Sequence, residues 1–217
     1  MWLNHPSLPQ NYWSFNGNFN DQSGNANLNQ GLNYALAKDR FGNSNSALDL
    51  NTGYMNFPSG VYFVGDFTLM TWIYWRQAVS SSRIFDFGNG PLKDNVLIGS
   101  NLNANQLYVG IVQSNQNFMP SIVYTKPISL NVWYHLSYVQ SGSTGTLYLN
   151  GTAVVAGILN PPQSVVRNSN FIGKSNNLTD VLTNAVLDEI KIYNVALSNT
   201  HILNEFNGRP TTLEKRK

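Results

Sequence analysis

Side-chain oxygens are concentrated in two segments near opposite ends of the 217-residue chain, NGNFNDQSG and LDEIKIY. The first combines carboxamides and a carboxylate between flexible glycines, and the second contains another acid, Asp188. Calcium binds six to eight oxygens from carboxylates, amide side chains, backbone carbonyls and water. The pattern predicts a structural calcium ion held by Asn16, Asn18 and Asp21, with Asp188 brought alongside by the fold. The alternative is an Asx-rich turn in which Asp21 caps backbone amides.

A second group of residues has the chemistry of a sugar site. Such a site needs aromatic faces that stack on sugar C–H groups, together with planar polar groups, on the concave sheet or on loops at one rim. The segment SRIFDFGNGPLKDN provides polar side chains in or beside a predicted strand, and another predicted strand ends nearby in WR. The predicted ligand-binding residues are Trp75, Arg76, Arg83, Asp86 and Asn89. For each of them the alternative is core packing or a surface ion pair, such as Arg83 with Asp86.

The acidic residues do not form a pattern typical of a glycosidase. Hydrolysis of a glycosidic bond ordinarily uses two carboxylates about 5 to 10 Å apart. Glu189 is the first of only three glutamates, and in a regular strand its side chain points away from that of Asp188. Asp86 and Asp94 are the best aspartate pair that could replace two catalytic glutamates, and nothing in their spacing indicates a catalytic role. The chain also lacks cysteine and a Gly-x-Ser-x-Gly elbow. The sequence therefore predicts a protein that is not an enzyme.

The elements that must position these residues are short apolar runs separated by Gly, Asn, Ser and Pro, a pattern typical of strands and turns. About a dozen runs, with no long helical period between them, predict an all-β fold of two packed antiparallel sheets. The runs lie near residues 12–15, 47–50, 54–57, 67–76, 83–87, 95–98, 107–112, 121–125, 133–139, 146–149, 153–156 and 185–193.

Two runs carry stronger signals than the rest. DFTLMTWIYW, residues 66–75, is apolar at both alternating sets of positions, which is typical of a central strand covered on both faces. LYLNGTAVV places Asn150 and Gly151 between two apolar arms, and these residues favour the positive φ angles of a tight hairpin turn.

One short C-terminal helix is predicted where SNTHILNEFNG supplies Ser198 as an N-cap and Gly208 as a stop. This divides the chain into an N-terminal extension at 1–10, a single domain at 11–208 and a basic disordered tail at 209–217.

Charge and hydropathy exclude two classes of partner. The tail contains four of the 13 basic residues, so residues 1–208 carry nine basic and ten acidic groups. A nucleic-acid-binding protein would need a clustered basic face on the domain itself, so no nucleic acid is expected. The longest aliphatic run, AVVAGIL, is far shorter than the roughly 20 residues that span a bilayer. Membrane insertion is therefore not expected.

Seven segments in order resemble the laminin-G-like, concanavalin A-like lectin/glucanase jelly-roll family. They are YWSFNGNFNDQSG, RFGNSNSALDL, GDFTLMTWIYW, VWYHLSYV, TLYLNGTAV, FIGKS and LDEIKIYNVALS.

The resemblance implies a two-sheet antiparallel jelly-roll sandwich in which the first and last strands lie side by side. It implies that the loop beside them often holds calcium, although relatives often carry Asp or Glu where this chain has Asn16. It also implies a secreted or cell-surface binding module, part of a larger chain, that recognises a carbohydrate or cell-surface glycoconjugate. The main alternative is a protein-binding adhesion domain of the same fold that recognises an extracellular protein. A third and less favoured alternative is a glycan-active enzyme or its accessory domain.

Overall fold

The computed structural model describes residues 8–24, 26–101, 105–114 and 118–208. The predicted basic tail and residues 1–7 of the predicted N-terminal extension lie outside these ranges. The elements are β1 Asn11–Trp13, β2 Gly31–Ala37, β3 Ala47–Phe57, β4 Phe67–Gln77, β5 Arg83–Gly88, β6 Val96–Ser100, β7 Leu107–Ile111, β8 Ser121–Tyr124, β9 Trp133–Ser141, β10 Thr144–Leu149, β11 Thr152–Ile158, β12 Ser169–Ile172, β13 Thr183–Tyr193 and α1 Asn199–Asn207.

The strands form the predicted antiparallel jelly-roll sandwich. Their hydrogen-bonded order is β11-β10-β9-β4-β13-β3-β12-β5-β6-β7-β8, with β1 on β13 and β2 on β3. β8 contacts β11, so the two ends of this order meet. The enclosed core takes Phe67 and Ile73 from β4, and Phe85, Ile98 and Val109 from β5 to β7.

The first and last strands are neighbours, as the resemblance implied. β1 runs antiparallel to β13, with Tyr12 opposite Lys191 and Trp13 opposite Ile190. Trp13 is fully buried, and its indole N–H donates to the Ala26 carbonyl at 2.8 Å. The N-terminal segment is therefore anchored both by its strand pairing and by a side chain in the core.

The prediction that β4 is covered on both faces is confirmed. One face contributes to the main core, and the other contributes Met70 to a smaller cluster with Tyr148, Tyr193 and Ile202. Ile202 belongs to α1, so the C-terminal helix covers this second face of β4. Burial on both faces explains why neither alternating set of positions in this strand is polar.

The predicted turn and helix are also present. Asn150 and Gly151 have φ angles of 50° and 76° and join β10 to β11. The Ser198 side chain caps α1 by accepting a bond from the His201 backbone N–H at 3.3 Å. The helix ends at Gly208 with φ −72°, so this glycine stops it in an extended conformation, not a left-handed one. Within the described ranges, no helix is long and apolar enough to cross a membrane.

The strand predictions were incomplete in three places. β2 was missed, and it is largely exposed along its length, so it shows no clear apolar alternation. β12 was missed because only its last two residues belong to the FIGKS segment, which leads into a turn at Gly173 with φ 81°. The predicted runs at 47–50 and 54–57 are a single strand, β3, which continues through Thr52 at φ 51°.

Candidate functional site

A cavity of about 310 Å³ lies beside β5 and β6 and brings two of the predicted ligand-binding residues together. Arg83 and Asp86 both line it, and we call it the Arg83–Asp86 cavity. Its other lining residues are Pro91, Leu92, Asn95, Leu97, Val112, Met119, Ser175, Asn176 and Asn177. Polar groups from β5 and the 175–177 segment thus share the space with aliphatic side chains and a methionine.

A β-bulge explains why Arg83 and Asp86 can line one cavity. Residues three apart in a regular strand point to opposite faces. The pairing of β5 with β6 slips between Arg83 and Phe85, so an extra residue is inserted in β5 at this point. A bulge of this kind re-aims the side chains that follow it.

Hydrogen bonds hold the Asp86 carboxylate in place. Its Oδ1 accepts from Asn95 Nδ2 at 2.8 Å and from Asn176 Nδ2 at 2.9 Å, and its Oδ2 accepts from the Asn176 backbone N–H at 2.8 Å. Burial raises the pKa of Asp86, while these hydrogen bonds and the charge of Arg83 oppose the rise. The acid is therefore a fixed structural group of the cavity, 2 % exposed.

Arg83 is held by groups other than Asp86. Its Nη2 pairs with Asp180 Oδ2 at 3.0 Å, and its Nη1 donates to the Ser81 carbonyl at 2.7 Å. The guanidinium carbon also lies 5.3 Å from the centre of the Tyr108 ring. Arg83 Nε has no hydrogen-bond partner among the described residues. The suggested surface pair of Arg83 with Asp86 is thus replaced by a buried pair with Asp180.

The loop from β5 to β6 shapes the rim of the cavity. It turns through Gly90, Leu92 and Asp94, with φ angles of 123°, 51° and 58°. Leu92 remains 46 % exposed at the cavity. At the base of the loop, the side chain of Asn95 packs so closely on Gly88 that a Cβ there would collide with it. The missing side chain of Gly88 therefore leaves the space that Asn95 needs to hold Asp86.

The other three predicted ligand-binding residues lie elsewhere. Trp75 is 1 % exposed in the main core, so core packing describes it and its ring face is not available for stacking. Arg76 pairs with Asp49 and also donates to Asn184 Oδ1 at 2.6 Å and to the Leu50 carbonyl at 3.1 Å. The carboxamide of Asn89 secures its own loop by donating to Asp94 Oδ2 and to the Val166 carbonyl, each at 3.0 Å. The burial of Trp75 corrects the predicted set, whereas ligand binding by Arg76 and Asn89 stays a prediction.

The sequence reasoning missed several residues of this cavity. Asn176 follows the FIGKS segment, and nothing in the sequence around it indicated a ligand contact. Asn95 belongs to the SRIFDFGNGPLKDN segment, but it was not among the predicted ligand-binding residues. Leu92 and Met119 are aliphatic or thioether side chains in loops, where hydropathy alone does not distinguish a ligand contact from ordinary exposure.

Asp21, the central residue of the predicted calcium loop, already has four hydrogen-bond donors. Its Oδ1 accepts from the backbone N–H groups of Tyr12 and Ser23, at 2.9 and 3.0 Å. Its Oδ2 accepts from Asn11 Nδ2 at 2.8 Å and from the Ala26 backbone N–H at 3.1 Å. These contacts match the alternative of an Asx-rich turn, and they tie the loop to β1.

The other predicted calcium ligands are spread over separate contacts. Asn18 Nδ2 donates to the Asn16 carbonyl at 3.2 Å, and Asn18 Oδ1 accepts from the Asn20 backbone N–H at 2.9 Å. Asp188 and Asp21 share no hydrogen-bond partner in the described part of the chain. Nor do the described residues contain a group of three or more His, Asp or Glu arranged to hold a metal. As arranged, these residues do not fit a calcium ion, and the calcium site stays a prediction.

Asp188 instead belongs to a buried charge cluster. Arg40 Nη1 contacts Asp188 Oδ2 at 2.9 Å, and Arg40 Nη2 contacts Glu189 Oε1 at 3.1 Å. The guanidinium carbon lies 4.3 Å from the centre of the Trp72 ring. Burial, followed by the charge of Glu189, raises the pKa of Asp188 to about 8, and Arg40 opposes this rise.

The prediction that Asp188 and Glu189 point to opposite faces was wrong. The pairing of β13 with β4 slips between Asp188 and Lys191, and Glu189 has a φ of 47°. This bulge turns both carboxylates toward the same guanidinium. Arg40 contacts both adjacent acids and Lys191 lies 3.8 Å from Glu189, so these four residues form an ion-pair cluster.

Comparisons with known proteins agree with this fold. A family model described as the concanavalin A-like lectin/glucanases superfamily matches residues 49–203. No curated protein sequence matches the chain. Domain 4 of AbnA, a GH43 extracellular arabinanase from Geobacillus stearothermophilus, in complex with arabinotriose, is 21 % identical with a TM-score of 0.70. That match covers 92 % of this chain and 98 % of that one.

Two toxin structures are similar over about half of their own length. The binding domain of Paraclostridial Mosquitocidal Protein 1 is 19 % identical with a TM-score of 0.65, over 91 % of this chain and 51 % of that one. The binding domain of Botulinum Neurotoxin DC in complex with SialylT is 16 % identical with a TM-score of 0.68, over 91 % and 50 %. At these identities the likeness concerns the fold.

Proposed function

Because the chain belongs to the concanavalin A-like lectin/glucanases superfamily, we propose that it is a non-catalytic carbohydrate-binding module whose Arg83–Asp86 cavity receives the glycan. The observation that carries this proposal is the composition of the cavity, which is lined both by aliphatic side chains and by hydrogen-bonding groups held in fixed positions. A sugar presents apolar C–H faces and hydroxyl groups at once, so it complements both kinds of group.

Individual groups of the cavity support this role. Leu92 and Met119 provide apolar surface, and Leu92 is exposed at the rim. Arg83 Nε is a buried donor without a partner among the described groups, so a ligand hydroxyl or ring oxygen would satisfy it. Structures of the same fold whose ligands are named, with arabinotriose and with SialylT, give further support and suggest probes.

We base the proposed absence of catalysis on the contacts that the acidic side chains make. Asp86 is held by three hydrogen bonds, and Asp188 and Glu189, which both contact Arg40, do not line the cavity. A glycosidase needs one carboxyl that can donate a proton and one that can attack or activate water. Incubation with a broad glycan panel should therefore release no reducing ends, and measurable release would contradict this part of the proposal.

The proposal includes a location and a context. We expect the module to act outside the cell or at its surface as one domain of a larger chain, and its similarity to a single domain of an extracellular arabinanase supports this. Sequencing the parent polypeptide tests it, because neighbouring catalytic domains would indicate substrate targeting. A membrane anchor with repeated modules would indicate adhesion.

The binding test uses calorimetry with arabinotriose and a glycan array. Leu92→Ala and Met119→Ala should each weaken binding about tenfold, which corresponds to the loss of roughly 1.4 kcal/mol of apolar contact. Leu32→Ala is the matched control, since Leu32 is 49 % exposed on β2 and does not line the cavity. Glycan binding that neither cavity variant weakens would refute the assignment of the site. Binding to a protein partner that free sugar does not compete would favour the adhesion alternative.

A further inference from the structure

A second cavity, of about 240 Å³, lies where β3 runs beside β12. Five of its lining residues carry a carboxamide, namely Asn29, Gln30, Asn56, Asn168 and Asn170, and we call it the carboxamide groove. Phe57, Pro58 and Phe171 add apolar surface, and none of the lining residues is charged. No residue lines both this groove and the Arg83–Asp86 cavity.

Two side-chain oxygens of the groove residues are buried without a donor. Asn170 is 2 % exposed, and its Nδ2 donates to the Pro58 carbonyl at 3.1 Å and to the Arg167 carbonyl at 2.7 Å. These two bonds fix the orientation of the amide and leave Oδ1 as a pure acceptor. Neither Asn170 Oδ1 nor Asn56 Oδ1 has a hydrogen-bond partner within the described ranges.

Unpaired buried acceptors are rare because an unmade hydrogen bond is costly. The two oxygens therefore favour a ligand that brings hydroxyl or N–H donors into the groove.

The groove is larger than a single water needs. One water occupies about 30 Å³ in the liquid, several times less than the groove volume of about 240 Å³. The groove is also smaller than most pockets for drug-sized ligands, which begin at about 300 Å³. A metal ion is disfavoured because calcium sites rely on carboxylates, and none lines the groove. An uncharged molecule of the size of one sugar ring, with several hydroxyl donors, suits this volume and chemistry.

We propose that the carboxamide groove is a second carbohydrate-binding site, which takes one uncharged sugar residue through hydroxyl groups donated to Asn56 Oδ1 and Asn170 Oδ1. The ring of the sugar lies against Phe171 and Pro58. The two sites are neighbours on the sheet, since Phe171 of the groove lies opposite Asp86 of the first cavity across the β12–β5 pairing. Two sites on one module would let a single glycan chain or two chains engage both at once.

The test is an amide NMR titration with arabinotriose and methyl glucoside as uncharged probes and glucuronic acid as the charged comparison. Saturable shifts are expected at residues 29–30 and 168–171 with at least one uncharged probe, and weaker ones with the acid. Asn56→Leu preserves the shape of the side chain but removes its acceptor, so it should weaken the interaction about tenfold. Asn51→Leu, at an exposed position on the same strand, is the matched control and should change nothing.

The outcomes separate this site from the first. If Asn56→Leu is poorly folded, Gln30→Ala at the exposed rim of the groove takes its place, with an expected loss of about threefold. Leu92→Ala should leave the shifts at residues 29–30 intact, whether or not the Arg83–Asp86 cavity binds sugar, because these two residues line only the groove. No saturable shift at these residues with any probe, or equal affinity in the groove variants and the Asn51→Leu control, would overturn the proposal.

Discussion

Arg40→Met removes one cation from two buried carboxylates at once. In the folded protein Arg40 contacts Asp188 and Glu189, at 2.9 and 3.1 Å. The side chains of the three residues are only 6 %, 3 % and 7 % exposed, so water screens the interaction little. Methionine preserves most of the length of the side chain and its packing on Trp72. Among the described residues, it leaves Asp188 without a cation, and it leaves Glu189 with only the more distant Lys191 at 3.8 Å.

The expected loss of unfolding free energy is about 3–5 kcal/mol, the cost of breaking a buried ion pair by removing one partner. For a domain of this size that corresponds to a fall in the melting temperature of roughly 6–20 °C. Urea denaturation followed by tryptophan fluorescence measures the loss directly. Asp49→Asn is the control, because it breaks the Arg76–Asp49 pair and leaves the other hydrogen bonds of Arg76 in place. This pair is 30 % exposed on each side and should contribute only about 0–1 kcal/mol.

The same substitution predicts a pH dependence. A carboxyl whose pKa is raised on folding contributes stability at low pH, and this contribution is lost as the pH rises through the folded-state pKa. In the native protein the pKa of Asp188 is raised from 3.8 to about 8, so its contribution to stability is lost as the pH rises through this range. Without Arg40 the pKa of Asp188 rises further, so the destabilisation should be larger at about pH 9 than at about pH 6. An Arg40→Met protein within about 1 kcal/mol of the native one, or no less stable than Asp49→Asn, would refute the reasoning.

Three further predictions concern titration, the cavity and calcium. Burial lowers the pKa of His135 from 6.5 to about 4, so its contribution to stability, present above pH 6.5, is lost as the pH falls toward 4. In His135→Gln this acid-side loss should be smaller by up to about 3 kcal/mol, and parallel stability curves would contradict it. Gly88→Ala should displace Asn95 and weaken glycan binding in calorimetry, whereas Gly60→Ala, whose Cβ would meet Tyr62 at an ordinary 3.4 Å, should not. Millimolar calcium added after chelation should not shift the melting temperature if Asp21 remains bound to its four donors, and a clear rise would support the predicted calcium site.

The two cavities differ in what a ligand must bring. The Arg83–Asp86 cavity offers a guanidinium N–H and apolar surface, and its carboxylate is already satisfied. The carboxamide groove offers acceptor oxygens and no charge. A glycan chain that binds both would therefore present an acceptor-rich part to one site and a hydroxyl-rich residue to the other.

The sequence by itself determined the strands whose apolar pattern is local and complete. DFTLMTWIYW predicted the doubly covered β4, and Asn150-Gly151 predicted the hairpin turn, because side-chain periodicity and positive φ are properties of neighbouring residues. The resemblance of the two ends of the chain to a known family also predicted correctly that β1 lies beside β13.

The tertiary structure alone decided which of the candidate residues share a surface. Bulges at Arg83–Phe85 and at Glu189 change the face on which the following side chains lie, and alternation along a strand gives no sign of where they occur. Trp75 packs in the main core, whereas Leu92 in the β5–β6 loop remains 46 % exposed at the cavity. Burial depends on what packs across the sandwich, so a residue's own segment cannot specify it.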